Sequence, residues 1–375
     1  MASTPAYLLG GGLVTTLGRG LPAHAAALAR AAPEPRSSPV EYGGAPLPFH
    51  FASDARDAGA MLRMAGAAVG DALAEAALPP RAVARMGIFL GSTALNLPLI
   101  EAGYEQAYAR GEVPLIAVPD HTKVARELAT RFSIAGPQYA FNTACSSSAN
   151  AALYARALIT EGHLDHALVV GVEGYNRLSL LGFASLMLLT RAGYRPFDRA
   201  RDGLVLGEGV GALVLGREMR PGAVRLVGAA TACDPSTPTN SLPERVAEVM
   251  ADALADAGLR ARDLLAIKAH GTGTPSNDAS EGEAVRRAFG DALPPLTSIK
   301  PYFGHTLGAC GAIEMLGLVA CWREGFLPPT PGFEQPDAAA GLRPETVPRP
   351  LAASGAVLCN FFGFGGNNTS VVLAR

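Results

Sequence analysis

Asn142-Thr143-Ala144-Cys145-Ser146-Ser147-Ser148-Ala149-Asn150 is the stretch from which the rest of the chain can be read. The residues from Phe132 to Phe141 run into it and end as a strand, and an alanine-rich helix over about 146–161 leaves it, so Cys145 falls in the first turn of a helix. A thiol placed there meets unpaired backbone N–H groups and the positive end of the helix dipole, which favours thiolate over thiol and offers donors to a developing oxyanion. The small neighbours leave room for a substrate chain. The same stretch also fits a buried structural cysteine, because free cysteine behaves as a small hydrophobe.

Composition narrows the choice of class. The 375 residues allow two domains or two fused halves, and 49% hydrophobic content is ample for a large core. A formal net charge of -2, with no basic cluster or interleaved aromatic run, argues against nucleic acid and against an anionic membrane surface as partners. Cysteines 145, 233, 310, 321 and 359 are odd in number and lack the close spacing of a zinc site or redox pair, so no metal site is expected and a reducing, cytoplasmic setting fits. Neither a signal peptide nor a run of 18 apolar residues is present in the sequence.

Taken in order, residues 7–18 read as a short buried strand entering a glycine turn at Gly10-Gly11-Gly12. Dinucleotide binding is rejected for it, because the glycines are adjacent rather than spaced and no acidic residue ends a second strand about 20 residues later. Residues 32–50 read as a Pro/Gly/Ser-rich loop, 54–78 as a helix, 87–91 as a buried strand, and 97–132 as helical with breaks at Pro98, Pro114 and Pro119. Further strands fall at 167–172, 211–215 and 224–228, followed by a helix at 244–257. The pattern then begins again: strand 264–269, helix 279–289, strand 296–299, helix 308–323, and strands 356–360 and 369–373. The expected architecture is α/β, in two βα-rich halves divided near residue 225, 1–225 and 226–375.

Three further stretches carry chemistry. In Lys268-Ala269-His270-Gly271-Thr272-Gly273-Thr274-Pro275 a histidine follows a buried strand, in a loop whose glycines admit close backbone approach, with Asn277-Asp278 and Glu281 expected to cap and open the next helix. The run from Lys300 to Glu314 supplies a second histidine, His305, at a glycine-rich helix entry. Gly308, Ala309, Gly311 and Ala312 should bring that helix very close to a neighbour, with Glu314 in reach of Lys300. Asn360-Phe361-Phe362-Gly363-Phe364-Gly365-Gly366-Asn367-Asn368 lacks the lysine and helix of a phosphate loop and suits an oxyanion-binding or gating loop, since glycine permits the dihedrals that aim amides inward.

Together these stretches resemble the β-ketoacyl-acyl carrier protein synthases of the thiolase superfamily. The resemblance rests on Thr143-Ala144-Cys145, on His270-Gly271-Thr272-Gly273-Thr274, on Lys300 to His305-Thr306 with Gly308 and Glu314, and on Asn360 to Gly366, in family order. Arg195-Pro196-Phe197-Asp198 and residues 201–209 support it. It implies a thiolase-like fold, two pseudo-equivalent βα halves layered αβαβα, with the cysteine in the first half and both histidines in the second. It also implies decarboxylative Claisen condensation in fatty acid or polyketide (including polyene) biosynthesis. Cys145 would take an acyl group from a carrier-protein thioester, and the N–H groups of Cys145 and Phe364, flanked by Gly363 and Gly365, would hold the oxyanion and gate the site. Thr272 and Thr274 would contact pantetheine, His270 and His305 would stabilise the enolate, and Lys300 with Glu314 would hold the local field.

The partners so implied are acyl carrier protein, whose phosphopantetheine carries the substrates in place of a tightly bound cofactor, and a second ketosynthase-like chain in a homodimer or heterodimer. The chain is shorter than typical members after residue 20 and at 188–194. Pro301 stands where serine is usual, and Cys310 where alanine is usual. Two other readings compete. A non-decarboxylating thiolase would use one histidine and a second cysteine near the C-terminal glycine loop, where Cys359 is close but lies on the preceding strand. A non-catalytic chain-length-type partner subunit usually lacks the active cysteine.

Overall fold

A computed structural model describes residues 6–54, 59–113, 120, 122–290 and 292–375. Among the described residues its central sheet has eleven strands, ten on one continuous path and the short Gly18–Arg19 paired to the first of them in the chain. The first half contributes β1 (Ala6–Thr15), β2 (Gly87–Gly91), β3 (Gln138–Phe141), β4 (His166–Glu173) and β5 (Gly209–Gly216). The second contributes β6 (Arg225–Cys233), β7 (Leu264–Lys268), β8 (Leu296–Thr297), β9 (Ala356–Gly363) and β10 (Asn367–Ala374).

The spatial order is β3-β2-β4-β5-β1 in the first half and β8-β7-β9-β10-β6 in the second, the same permutation of chain order. In both, the second strand runs parallel to the third and fourth, while the fourth, fifth and first alternate antiparallel. The halves are thus structural repeats, although no sequence repeat is visible between them. They join edge to edge where β1 meets β6, Ala6 opposite Leu226 and Tyr7 opposite Arg225.

Helices α1 (Ala60–Ala76) and α2 (Lys123–Phe132) cover the outer face of the first half, and α3 (Pro243–Ala257) and α4 (Pro275–Phe289) that of the second. Between them lie two central helices, αN (Ser147–Thr160) and αC (Cys310–Arg323), each packed against strands of both halves. The apolar core is correspondingly divided, with one cluster around αN and αC and one under each outer helix pair. All of αC except Arg323 is buried, as expected of a helix that is apolar on every side. This is the αβαβα arrangement.

Several local readings change. The triple glycine lies inside β1 and makes no turn; a Cβ on Gly10 would sit 2.1 Å from Ala72 O and one on Gly12 1.8 Å from Ala68 O, so glycine is needed there for α1 to press on the strand. Residues 32–50 hold a hairpin, Arg36–Tyr42 with Ala45–His50, turned by Gly43 and Gly44 at positive φ and extended by Leu206–Gly207. Its prolines sit in a short peripheral sheet, where missing donors are tolerated. Pro98 opens the helix Leu97–Ala109 and does not break it, because its absent N–H falls in the first turn. Pro114 and Pro119 lie outside the described residues. Among the described residues no helix is long and apolar enough to cross a membrane.

The central helices touch through small residues. A Cβ on Gly311 would stand 2.4 Å from Ala149 N, Ser148 Oγ accepts the Ala312 N–H at 3.0 Å, and a Cβ on Gly91 would reach Ser148 Cα at 2.4 Å. Even one methyl group must push αC off αN. Gly311→Ala is therefore expected to lower unfolding stability by about 1–3 kcal/mol, measurable by chemical denaturation.

Candidate active site

The site forms where the starts of αN and αC meet. Strand β3 ends at Phe141, and the chain turns through Ala144 at φ 51, a left-handed conformation that L side chains adopt reluctantly. Ser146 Oγ donates to Thr143 O (2.8 Å), Ser147 Oγ to Ala144 O (2.6 Å) and Asn150 Nδ2 to Thr143 Oγ1 (2.8 Å), which holds the turn. Cys145 follows, 5% exposed, its Sγ 3.1 Å from His305 Nε2. The Phe364 N–H also bonds to that sulfur. His270 stands edge-on to His305 with ring centroids 5.4 Å apart. One donor atom from each of Cys145, His270 and His305 lies within 4.8 Å of the others.

Each histidine is held by its backbone. His270 N and Gly271 N donate to the two oxygens of Glu281 at 2.7 and 2.8 Å, and Asp278 takes the amides of Thr272, Gly273 and Phe197. The expected capping role for Asp278 and Glu281 is therefore corrected: these carboxylates reach back from α4 to fix the histidine loop, whose clustered amides offer more donors than the helix start does. His305 N donates to Val205 O and its carbonyl accepts from Gly207 N, so residues 204–207 act as a rail for it. Glu173, at the end of β4, accepts from Thr93, Ala94 and Gly308 and ties the next loop to the first half.

Lys300 Nζ donates to Glu314 Oε1 at 2.6 Å, as the spacing suggested. A partner escaped the sequence reading: Lys268 Nζ donates to Glu314 Oε2 at 2.5 Å, so one buried carboxylate serves two ammonium groups. The only local hint was a lysine ending an apolar strand.

Electrostatics revise the expected resting state. Burial pushes the Cys145 thiol up to about 12, with Lys300 and the Phe364 amide pulling back only in part. The helix start does not make a resting thiolate here, because loss of water outweighs it. Burial, then Lys300, holds both imidazoles well below their ordinary value, so both are neutral. Glu281 and Glu173 are each raised to about 7 by burial, against the amides that hold them.

Cys145, His270, His305, Thr272, Thr274, Phe183, Phe362, Gly363 and Phe364 surround a narrow cavity of about 60 Å³. Thr272 and Thr274 share a 2.8 Å hydrogen bond on its wall. The Phe364 ring stacks on Phe183, centroids 5.6 Å apart. A Cβ on Gly363 would lie 3.0 Å from Cys145 N, so only glycine lets β9 bring Phe364 to the nucleophile's own amide, and Gly365 turns the chain at φ 75 with its N–H on Pro238 O. Of the residues picked from the four motifs, Cys145, His270, Thr272, Thr274, His305, Gly363 and Phe364 line this cavity, whereas Lys300, Glu314 and Gly365 do not. Cys359 is buried on β9 and does not line it.

The chain is similar to known proteins over most of its length. A 3-oxoacyl-[acyl-carrier-protein] synthase 2 from Vibrio cholerae is 30% identical over 317 residues, 78% of this chain and 76% of that one. The tetracenomycin polyketide synthase ketoacyl synthase alpha subunit of Streptomyces glaucescens is 32% identical over 81% of this chain and 78% of its own. The ishigamide ketosynthase/chain length factor structure superposes with a TM-score of 0.90 at 26% identity over the full length of both chains. A ketosynthase of Xenorhabdus doucetiae in complex with its chain length factor superposes with 0.83 at 27%, covering 99% of this chain and 98% of that one. Residues 46–220 match the β-ketoacyl synthase N-terminal domain and residues 223–334 its C-terminal domain, and the chain belongs to the β-ketoacyl synthase family of condensing acyltransferases.

Proposed function

We propose that this chain joins an acyl group to a malonyl unit by decarboxylative Claisen condensation on acyl carrier protein, in fatty acid or polyketide biosynthesis, with Cys145 as nucleophile, His305 as the acceptor of its proton, and His270 and His305 as hydrogen-bond donors to the enolate. The observation that carries the reading is the 3.1 Å approach of His305 Nε2 to Cys145 Sγ, with His270 beside it in one enclosed cavity.

The chemistry follows from the state of each group. The resting thiol is protonated, so attack on an incoming thioester requires its proton to pass to His305 Nε2 as the S–C bond forms. The tetrahedral oxyanion is held by the amides of Cys145 and Phe364. Its collapse expels the carrier's thiolate, which regains the proton, and leaves acyl-Cys145. A malonyl thioester then enters past Thr272 and Thr274. Its C–C bond to the carboxylate breaks, carbon dioxide leaves, and the enolate oxygen accepts from the neutral imidazoles. The carbanion attacks the acyl carbonyl, and Cys145 leaves as thiolate and takes up one proton from solvent, the proton that balances the loss of the carboxylate as carbon dioxide. Phe364, stacked on Phe183, must swing aside for the acyl chain, because the closed cavity is too small for one. Lys300 and Glu314 keep the field fixed. The reading needs no resident cofactor or metal, since substrates arrive on phosphopantetheine.

A chain-length-type partner without catalysis is disfavoured by the assembled Cys145, His270 and His305. A thiolase is disfavoured by the second histidine and by Cys359 lying off the cavity. For assembly, β3 is the last strand of the sheet. Tyr139 on it is 36% exposed, and Tyr154 beside it is 41% exposed. An unpaired edge bearing aromatic rings suits a second ketosynthase-like chain, identical or not.

Four outcomes test this reading. Alkylation of Cys145 by iodoacetamide should keep accelerating through pH 10, with no plateau between 7 and 8; such a plateau would reveal a resting thiolate. His270→Ala and His305→Ala should each still accept acyl at Cys145 by intact mass but lose condensation by about 10²–10³-fold, roughly 3–4 kcal/mol. Cys145→Gln should abolish acylation and still release carbon dioxide from malonyl carrier protein, whereas wild-type condensation without carbon dioxide release would overturn the mechanism. Sedimentation velocity should show a dimer, alone or with a co-expressed partner; an active monomer would refute pairing through β3.

A further inference from the structure

Lys268 has no part in the chemistry just described, yet it is among the most constrained cations of the molecule. It ends β7 with its side chain wholly buried. Its Nζ donates to Glu314 Oε2 at 2.5 Å and to Asn360 O at 2.7 Å, and lies 3.7 Å from the centroid of the Phe361 ring. Those three contacts sit on two elements. Glu314 is on αC, which begins just after the His305 loop; Asn360 and Phe361 are on β9, whose end presents the Phe364 amide to Cys145.

The charge count is equally specific. Glu314 already has Lys300 at 2.6 Å, so Lys268 brings a second ammonium to a balanced buried pair and leaves a surplus positive charge. The other buried carboxylates of the site, Glu173, Asp278 and Glu281, accept from backbone amides, and Glu281 also lies in the field of the Lys268 ammonium. The thiol beside the two histidines, Cys145, and the buried Cys310 and Tyr194 near the site are neutral at rest because burial raises all three. In an interior that screens poorly, a surplus positive charge disfavours imidazolium.

We infer that Lys268 is a positioning residue for the condensation: it clamps the strand that presents the Phe364 amide to the helix that carries Glu314, and its ammonium adds to the positive charge that His270 and His305 face. This rests on the function proposed above. Burial lowers Lys268 itself, with Glu314 opposing it, and its ammonium adds the smallest contribution, after burial and Lys300, to the lowering of both imidazoles.

Lys268→Met tests it. Methionine fills a similar volume over Phe361, and Lys300 alone still balances Glu314. Acylation of Cys145, which uses the Phe364 amide that Lys268 helps to present, should slow about 10-fold. The kcat for carbon dioxide release should fall about 10- to 100-fold with little change in KM. With a positive charge removed the imidazoles become easier to protonate, so the acid limb of the pH–rate profile should move to higher pH, and histidine ring signals in NMR should titrate higher. Lys268→Arg, which keeps the charge, should return the acid limb toward wild type. If the Met variant does not fold, Lys268→Gln carries the same comparison. An unmoved acid limb in folded variants, or a limb displaced equally by Arg, overturns the inference. Absence of carbon dioxide release from the wild type would instead defeat the proposed function.

Discussion

The structure depends on how closely two helices can approach. αN and αC each follow the third strand of their half, and both are buried between the sheets, so their first turns converge only if nothing larger than a methyl group intervenes. Gly311 against Ala149, Gly91 against Ser148 and the Ser148 to Ala312 hydrogen bond meet that condition. The high glycine and alanine content of these segments is thus a packing requirement, close to the density at which added atoms find no space. Convergence of the two helix starts sets the cysteine of one half beside the histidine of the other.

Desolvation then determines how the site behaves. The same burial that raises the Cys145 thiol lowers both imidazoles, so the resting site holds no charge on its reacting atoms, and its charges lie one layer back on Lys268, Lys300 and Glu314. Charge develops only when a thioester is bound, where preorganised amides and imidazoles face it. A neutral resting site also avoids the cost of an unpaired buried ion.

How much of this was legible in the sequence follows from how local each signal was. Cys145, His270, His305 and the Gly363–Gly365 loop could be found because each lies at a strand end among glycines or small residues, a pattern complete within ten residues. Residues that act through distant partners were hidden. Lys268 meets Glu314 across 46 positions and Glu173 meets Gly308 across 135. Asp278 and Glu281 were visible but ambiguous, since a carboxylate early in a helix suits a cap as well as an amide cluster in the preceding loop. The triple glycine of β1 was misread for a related reason: local sequence cannot tell a glycine needed for a turn from one needed for contact with α1. The thiol's protonation depends on total burial, which no short motif encodes.

The Lys268–Glu314–Lys300 group has a consequence for how the protein responds to its ionic surroundings. All three side chains are fully buried, so mobile ions cannot approach them and the potential they impose on the two imidazoles is a fixed property of the fold. Charges on the outer surface are screened within about 8–10 Å at ordinary salt. Salt concentration therefore acts as a lever on encounter alone. Delivery of substrate can be tuned, or lost, by the medium while the bond-making step proceeds in a field the medium does not reach.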